Sequence, residues 1–156
     1  MDKKIALVKE WRTEAVRKIN EERNQLLSIF DNIREPVFVA SMDTYRILYA
    51  NNAIKELMGA EVGDICHEVL QGKDSPCEFC SNKHLKEIGD EYVWEHKNEC
   101  NGRWYKCMDR AIMWTDGSVV KMELAVDITK IKEETIDMES SLNTLQTAIH
   151  MITRAI

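Results

Sequence analysis

Residues 36–59 read PVFVASMDTYRILYANNAIKELMG. Pro36 ends any helix before it, because proline donates no amide hydrogen bond and pushes its predecessor out of helical geometry. The β-branched and aromatic run PVFVAS then reads as a strand. Asp43 and Thr44 supply a turn, and YRILYA returns as a second strand. Asn51 stands where a side chain can cap the short helix NAIKELMG, which Gly59 ends.

The same reading extends downstream. Residues 64–88 read as short helical turns interrupted by Gly72 and Pro76. Three strands follow: EYVWEHK, RWYKCMDRAIMW and SVVKMELAVDIT, the last two joined by an Asp116-Gly117 hairpin turn. In the last strand Val120, Met122, Leu124 and Val126 share one face. Lys121, Glu123 and Asp127 share the other, the pattern of a strand half in water. In the middle strand Tyr105 and Cys107 fall opposite Trp104, Met108 and Ile112. Two strands, short helices and a three-strand meander predict an α+β domain over residues 34–128, one antiparallel sheet with helices on one side.

Long helices flank this core. In residues 1–33, Ile5, Val8, Ala15, Ile19, Leu26, Ile29 and Ile33 keep the alternating three–four spacing of a coiled-coil seam, interrupted by Arg12 and Glu22. Such a helix extends ~45 Å and outruns a domain of this size. In residues 129–156 the seam is cleaner: Ile131, Thr135, Met138, Leu142, Leu145, Ile149, Ile152 and Ile156. An apolar seam must be buried, and a second copy of the chain is the expected cover. The seam still runs at its last position, as expected of a piece of a longer signalling protein.

Composition narrows the partners. A formal net charge of −6 disfavours nucleic acid and anionic membrane surfaces, both of which need clustered positive charge. No apolar run approaches the ~20 residues of a membrane span, and the N-terminus lacks the features of a secretory signal, so a cytoplasmic location is expected. The sequence carries no P-loop, G-x-G-x-x-G, H-E-x-x-H or G-x-S-x-G, and no enzyme is expected.

Five cysteines, an odd number without a secretion signal, argue against a disulfide framework. Cys77 and Cys80 have the C-x-x-C spacing with which two thiolates grip one metal, and Cys66 can fold back toward them through Gly72. Cys107, Cys100, His67 or His84 is available as a fourth ligand, for zinc or, with four thiolates, an iron–sulfur cluster. A reversible disulfide among Cys66, Cys77 and Cys80 needs fewer parts. Packing of small buried side chains needs none. His67 is expected on a helix surface, His96 packing its ring in a strand, and His150 exposed.

The stretch LLSIFDNIREPVFVASMDTYRILYANNAIKELMG, with the ending WTDGSVVKMELAVDITKIKEE, resembles the PAS sensory domain: its "D-x-I-x-x-P-V-x-V", its "Y-A-N-x-A", its "DG" turn and its closing "D-I-T". The run CHEVLQGKDSPCEFC is similar to a cysteine pattern found in a subset of these domains in prokaryotic sensor histidine kinases and diguanylate cyclases. The resemblance implies a five-stranded antiparallel sheet around a ligand pocket, with a signal passing through Asp127 and Thr129 into the last helix. It also makes His84 a candidate haem ligand, since some such domains hold haem through a histidine in this region. The expected function is a homodimeric sensory module, as in two-component systems, that detects a small ligand, a metal or cluster, or redox state. The alternatives are a small metal- or thiol-based redox protein and a ligand-free dimeric adaptor.

Overall fold

The computed structural model describes residues 2–154. Its elements are α1 (Asp2–Asp31), β1 (Val37–Ser41), β2 (Ile47–Ala50), α2 (Asn52–Met58), α3 (Cys66–Gln71), β3 (Glu91–Lys97), β4 (Trp104–Met113), β5 (Val119–Asp127) and α4 (Thr129–Arg154), with a 3-10 turn at Ser81–His84. The last seam position, Ile156, lies outside the described residues, as does Met1.

The five strands form one antiparallel sheet in the order β2-β1-β5-β4-β3. The first strand therefore lies beside the last, and the α2–α3 segment crosses one face from edge strand β2 to edge strand β3. The registers stack residues into rows on that face. One row runs Tyr92, Asp109, Glu123, Phe38, Ala50, and a second runs Ala111, Lys121, Ala40. A third is Trp94, Cys107, Ala125. Phe38, Ala40, Ile47, Ala50, Ile54, Ala60 and Leu70 make the apolar core between this face and the helices.

The expected strand alternation holds and Val120 is buried as expected, but from Lys121 onward the sides of β5 are reversed. Lys121 and Glu123 face the covered interior, and Lys121 is only 7% exposed. Met122, Leu124 and Val126 lie half-buried on the opposite face. The reason is register: pairing with Tyr105, Cys107 and Asp109 on β4 and with Phe38 and Ala40 on β1 fixes which parity of β5 faces inward. A local hydropathy pattern cannot overrule two neighbouring strands.

Asn51, wholly buried, joins three parts of the chain. Its amide nitrogen donates to the backbone carbonyls of Phe30, Ile33 and Glu35. Its amide oxygen accepts from the backbone N–H of Val37 at 3.0 Å and of Ile54 at 3.2 Å. One side chain thus caps α2, starts β1 and ties down the chain leaving α1. Gly59 then closes α2 in the left-handed conformation, φ 67°, as glycine readily does.

The two long helices leave the core almost at once. Phe30 packs edge-on against Tyr49, whose hydroxyl donates to Asp31. Beyond that turn Ile5, Val8, Ile19 and Leu26 are exposed, and so is Trp11, 76% accessible and off the expected seam. No residue of α4 is buried, and Ile131, Met138, Leu142, Leu145, Ile149 and Ile152 all face solvent.

Replacing Asn51 with alanine leaves buried carbonyls and amides without partners, at about 1–3 kcal/mol for each group stranded. Asn51→Ala should lower the urea-unfolding free energy by about 3 kcal/mol or more. Asn52→Ala, at an exposed neighbouring position, should change it by less than about 0.5 kcal/mol.

Candidate functional site

Between sheet and helices lie two adjoining hollows that share Phe38, Leu70, Gln71, Trp94 and Glu123 as walls. Their free space is about 50 and 40 Å³. Each holds roughly three or four waters, at 10–15 Å³ per water. The first opens toward α2 and is lined by Ile54, Met58, His96, Tyr105 and Cys107. The second opens toward the C-x-x-C loop and is lined by Tyr45, His67, Phe79, Ser81 and Lys121, with Cys66, Cys77 and Cys80.

The fold thus brings three of the candidate cysteines to one hollow. Cys66 opens α3, and Cys77 and Cys80 bracket a turn closed by the Cys80 N–H on the Cys77 carbonyl at 3.0 Å. Cys107 lines the neighbouring hollow, and Cys100 is exposed near Gly72, whose missing Cβ would touch its Sγ at 3.4 Å. Cys80 precedes only a four-residue 3-10 turn. Among the described residues no three His, Cys, Asp or Glu side chains stand close enough to hold one metal ion. All five cysteines are free thiols.

Burial governs their chemistry. It pushes the Cys66 thiol up to about 11, and it raises Cys77 as well. Cys107 is pushed higher still, by burial and then by the Glu123 carboxylate. These thiols are protonated at neutral pH, which makes them slow nucleophiles.

His67 corrects an expectation. Instead of lying on a helix surface it is 7% exposed, edge-on to the Tyr45 ring at 5.3 Å. Its Nδ1 is buried without a hydrogen-bond partner. Tyr45 holds a left-handed backbone, φ 59°, at the β1–β2 turn, a costly geometry for a residue with a side chain. His96 packs as expected, with its ring 4.1 Å from Phe79 and its Nε2 3.2 Å from the Gln71 Oε1. Burial pulls His96 below the usual imidazole value, so it is neutral at pH 7 and Nε2 is the donor. His84 lies outside both hollows, exposed and stacked on Tyr92 at 3.9 Å.

The charged rows are what the sequence reading missed. Lys121 Nζ donates to Glu123 Oε2 at 3.1 Å, with both side chains nearly buried. Across the strand pair Asp109, 2% exposed, accepts from Trp94 Nε1 at 2.7 Å. Its Oδ1 is unpartnered, and the Ser81 hydroxyl beside it makes no hydrogen bond of good geometry. Burial, with Glu123 opposite, pushes the Asp109 carboxyl up to about 7. Burial alone would pull Lys121 down, but Glu123 and Asp109 more than offset it and hold the ammonium above its ordinary value. A signal was available: the parity that sends Tyr105 and Cys107 to one face sends Asp109 there too.

The walls of the hollows also hold the root of α4. Trp94 and His96 point inward from β3, while Glu95 between them pairs with Lys132 of α4. Lys132 lies 5.3 Å over the Trp104 ring. The hydroxyl and N–H of Thr129 donate to Asp127 Oδ1 at 2.6 and 2.9 Å. The Thr129 hydroxyl accepts from the Trp104 N–H at 2.9 Å, and Arg103 pairs with Asp127 at 3.0 Å.

A five-stranded antiparallel sheet of this order, roofed on one face by short helices around small interior hollows and joined to long terminal helices, is a PAS-like arrangement. Residues 24–90 match the family model of the PAS domain, and the fold is PAS-like. The PAS domain of an HTR-like protein from Haloarcula marismortui superposes with a TM-score of 0.56 at 12% identity, covering 74% of this chain and 99% of that one. An RNA-binding light-oxygen-voltage receptor gives 0.57 at 18% identity, over 77% of this chain and 38% of its own. The PAS domain of nitrogen regulation protein NR(II) from Vibrio parahaemolyticus gives 0.52 at 16%, over 65% and 96%. At these identities the likeness is one of fold. No curated protein matches the chain.

Asp109 sets a pH dependence. Its carboxyl titrates near 7 in the fold and near 3.9 in the unfolded chain, so between those values the folded state holds one more proton. Stability should therefore fall as pH rises from about 4 to about 7. Melting temperatures of Asp109→Asn across this window should lack that component of the slope.

Proposed function

We propose that this chain is a sensory signalling module. Its interior hollows take a small ligand, and the resulting change in the sheet passes through β3, β5 and the Asp127–Thr129 junction into α4. One observation carries the reading. The strand whose inward side chains, Trp94 and His96, wall the hollows uses the residue between them, Glu95, to grip Lys132 at the root of α4. A change that displaces β3 at the hollow reaches α4 through one strand. The PAS fold and the absence of a membrane-spanning helix among the described residues agree with this role.

The module works as a homodimer in this reading. Support comes from the exposed apolar stripes of α1 and α4, which a monomer leaves in water.

A second reading has its own support in Cys66, Cys77 and Cys80 lining a single hollow. With rearranged side chains they are candidate ligands for zinc, or for an iron–sulfur cluster with a further thiolate. Two of them are also a candidate dithiol, oxidised by a peroxide that leaves as water while the pair becomes a disulfide. Their raised pKa values weigh against fast oxidation and not against capture of a metal, which expels the thiol protons. Haem at His84 draws no support from its place outside the hollows.

Three measurements check these readings. The full chain should run as a dimer in light scattering, and Leu142→Lys with Leu145→Lys should make it a monomer. Disulfide cross-linking of Leu142→Cys chains should fall or rise when Glu95→Ala cuts the grip on Lys132; unchanged cross-linking would count against β3 as the route. Metal analysis and visible absorbance of anaerobically purified protein should separate a ligand sensor, colourless and metal-free, from a metal or cluster protein.

A further inference from the structure

The Lys121–Glu123 pair is difficult to explain as a device for stability. Taking two charges out of water costs several kcal/mol per ion, and replacing such a pair with apolar residues is often neutral or stabilising. Yet both side chains are almost fully buried. Both also line the second hollow, so they meet a space and not a packed wall. Glu123 lines the first hollow as well.

Other unspent polarity surrounds the same space. The Nδ1 of His67 is buried without a hydrogen-bond partner, on a residue 7% exposed that lines this hollow, and the Ser81 hydroxyl, which also lines it, has only the Asp109 carboxyl beside it. Native interiors rarely strand such groups, and each is an opening for a ligand atom. Around them stand Phe38, Phe79, Trp94 and Tyr45, apolar and aromatic surfaces that favour a cationic or aliphatic group. Lys121 Nζ already lies 5.5 Å over the Phe38 ring.

The charge balance selects the ligand. With the Asp109 carboxyl protonated, as it is below about pH 7, Lys121 and Glu123 cancel, so a ligand with net charge would leave one of them unpaired in the buried interior. A carboxylate alone would take Lys121 and strand Glu123; an amine alone would do the reverse. A molecule carrying both charges can insert between them and pair with each, leaving the interior neutral. The size agrees: free space for three or four waters in each hollow takes roughly three or four heavy atoms apiece, or about six to eight over the two adjoining hollows.

We infer that the hollows bind a small zwitterion of amino-acid size, its carboxylate on Lys121 with Ser81 or His67 and its ammonium on Glu123 beside the aromatic wall. This rests on the sensory reading and names the ligand class for it. In the free state the two side chains pair with each other and hold the place of the ligand's charges.

The test uses the full chain with the twenty protein amino acids, β-alanine and 4-aminobutyrate, and with propionate and ethylamine as single-charge controls. Binding is read by calorimetry and by melting temperature. At least one zwitterion should bind saturably with a Kd below about 10 mM, a weak but specific affinity, while the controls should bind at least tenfold more weakly. Lys121→Met and Glu123→Gln should each weaken binding at least tenfold. The double variant Lys121→Met, Glu123→Leu should melt at or above the wild-type temperature and bind no zwitterion, separating a recognition pair from a structural one. No binding by any zwitterion, equal binding of a single-charge control, undiminished binding by Lys121→Met, or a double variant clearly less stable than wild type would each overturn the inference. Cross-linking of Leu142→Cys chains keeps the two readings apart. A zwitterion that binds without changing it removes the relay and leaves the site. A metal or oxidant that changes it where no zwitterion binds removes the ligand class and leaves the relay.

Discussion

Five hydrogen bonds converge on the Asn51 amide, and the arrangement of the whole core depends on them. A segment that leaves a helix, turns and enters a central strand exposes several backbone groups at once. Water cannot reach this one, so a side chain must satisfy them. An amide suits the task because it carries two N–H donors, one of them shared between two of the three carbonyls, and an acceptor on one rigid plane. Aspartate could not serve the three carbonyls, and serine could not reach them all. With the turn fixed, β1 enters the sheet beside β5 in a single register. That register in turn decides which face of β5 is roofed.

The interior that results is unusual for a core of this size. Its main apolar cluster lies on the β1, β2, α2 and α3 side. β3, β4 and β5 add a carboxylic acid, an ion pair, the His96 imidazole and the Cys107 thiol, while α3 and the loop after it bring His67, Cys66, Cys77 and Cys80 to the same hollows. Small side chains make room for this: Ala111, Ala40 and Ala125 occupy the rows beside Asp109, Lys121 and Cys107. Hydrophobic burial and the Asn51 bonds hold the domain together, while the polar half contributes less to stability than its size suggests.

Most of the architecture was legible in the sequence because it rests on local signals. The Pro36 break, the Asn51 cap, the Gly59 stop and the Asp116-Gly117 turn each act over a few residues. The seams of the flanking helices are periodic and easily seen. What the sequence concealed depends on pairing between distant strands. Lys121 and Glu123 look like solvent residues on a two-sided strand, and only the partners on β1 and β4 turn them inward. His67 looks like a helix-surface residue until the β1–β2 turn brings Tyr45 over it. The convergence of Cys66, Cys77 and Cys80 was foreseeable from spacing and the Gly72 turn. The separation of Cys107 from them was not, because it depends on which row of the sheet each hollow meets.

The junction at Thr129 has a geometric consequence. Bonds from Asp127, Trp104 and Glu95 hold the first turn of α4 against the sheet, so its azimuth about the helix axis is set by the core. Every later residue inherits that angle at about 100° per position. The exposed seam is thus aimed in a fixed direction before any partner arrives, and the number of residues between Thr129 and a given position of α4 acts as a rotational setting. Adding or removing one residue turns the far end by more than a quarter of a circle, while a change of seven returns it to within about 20° of its starting angle. Linker length in such a chain carries information that its composition does not.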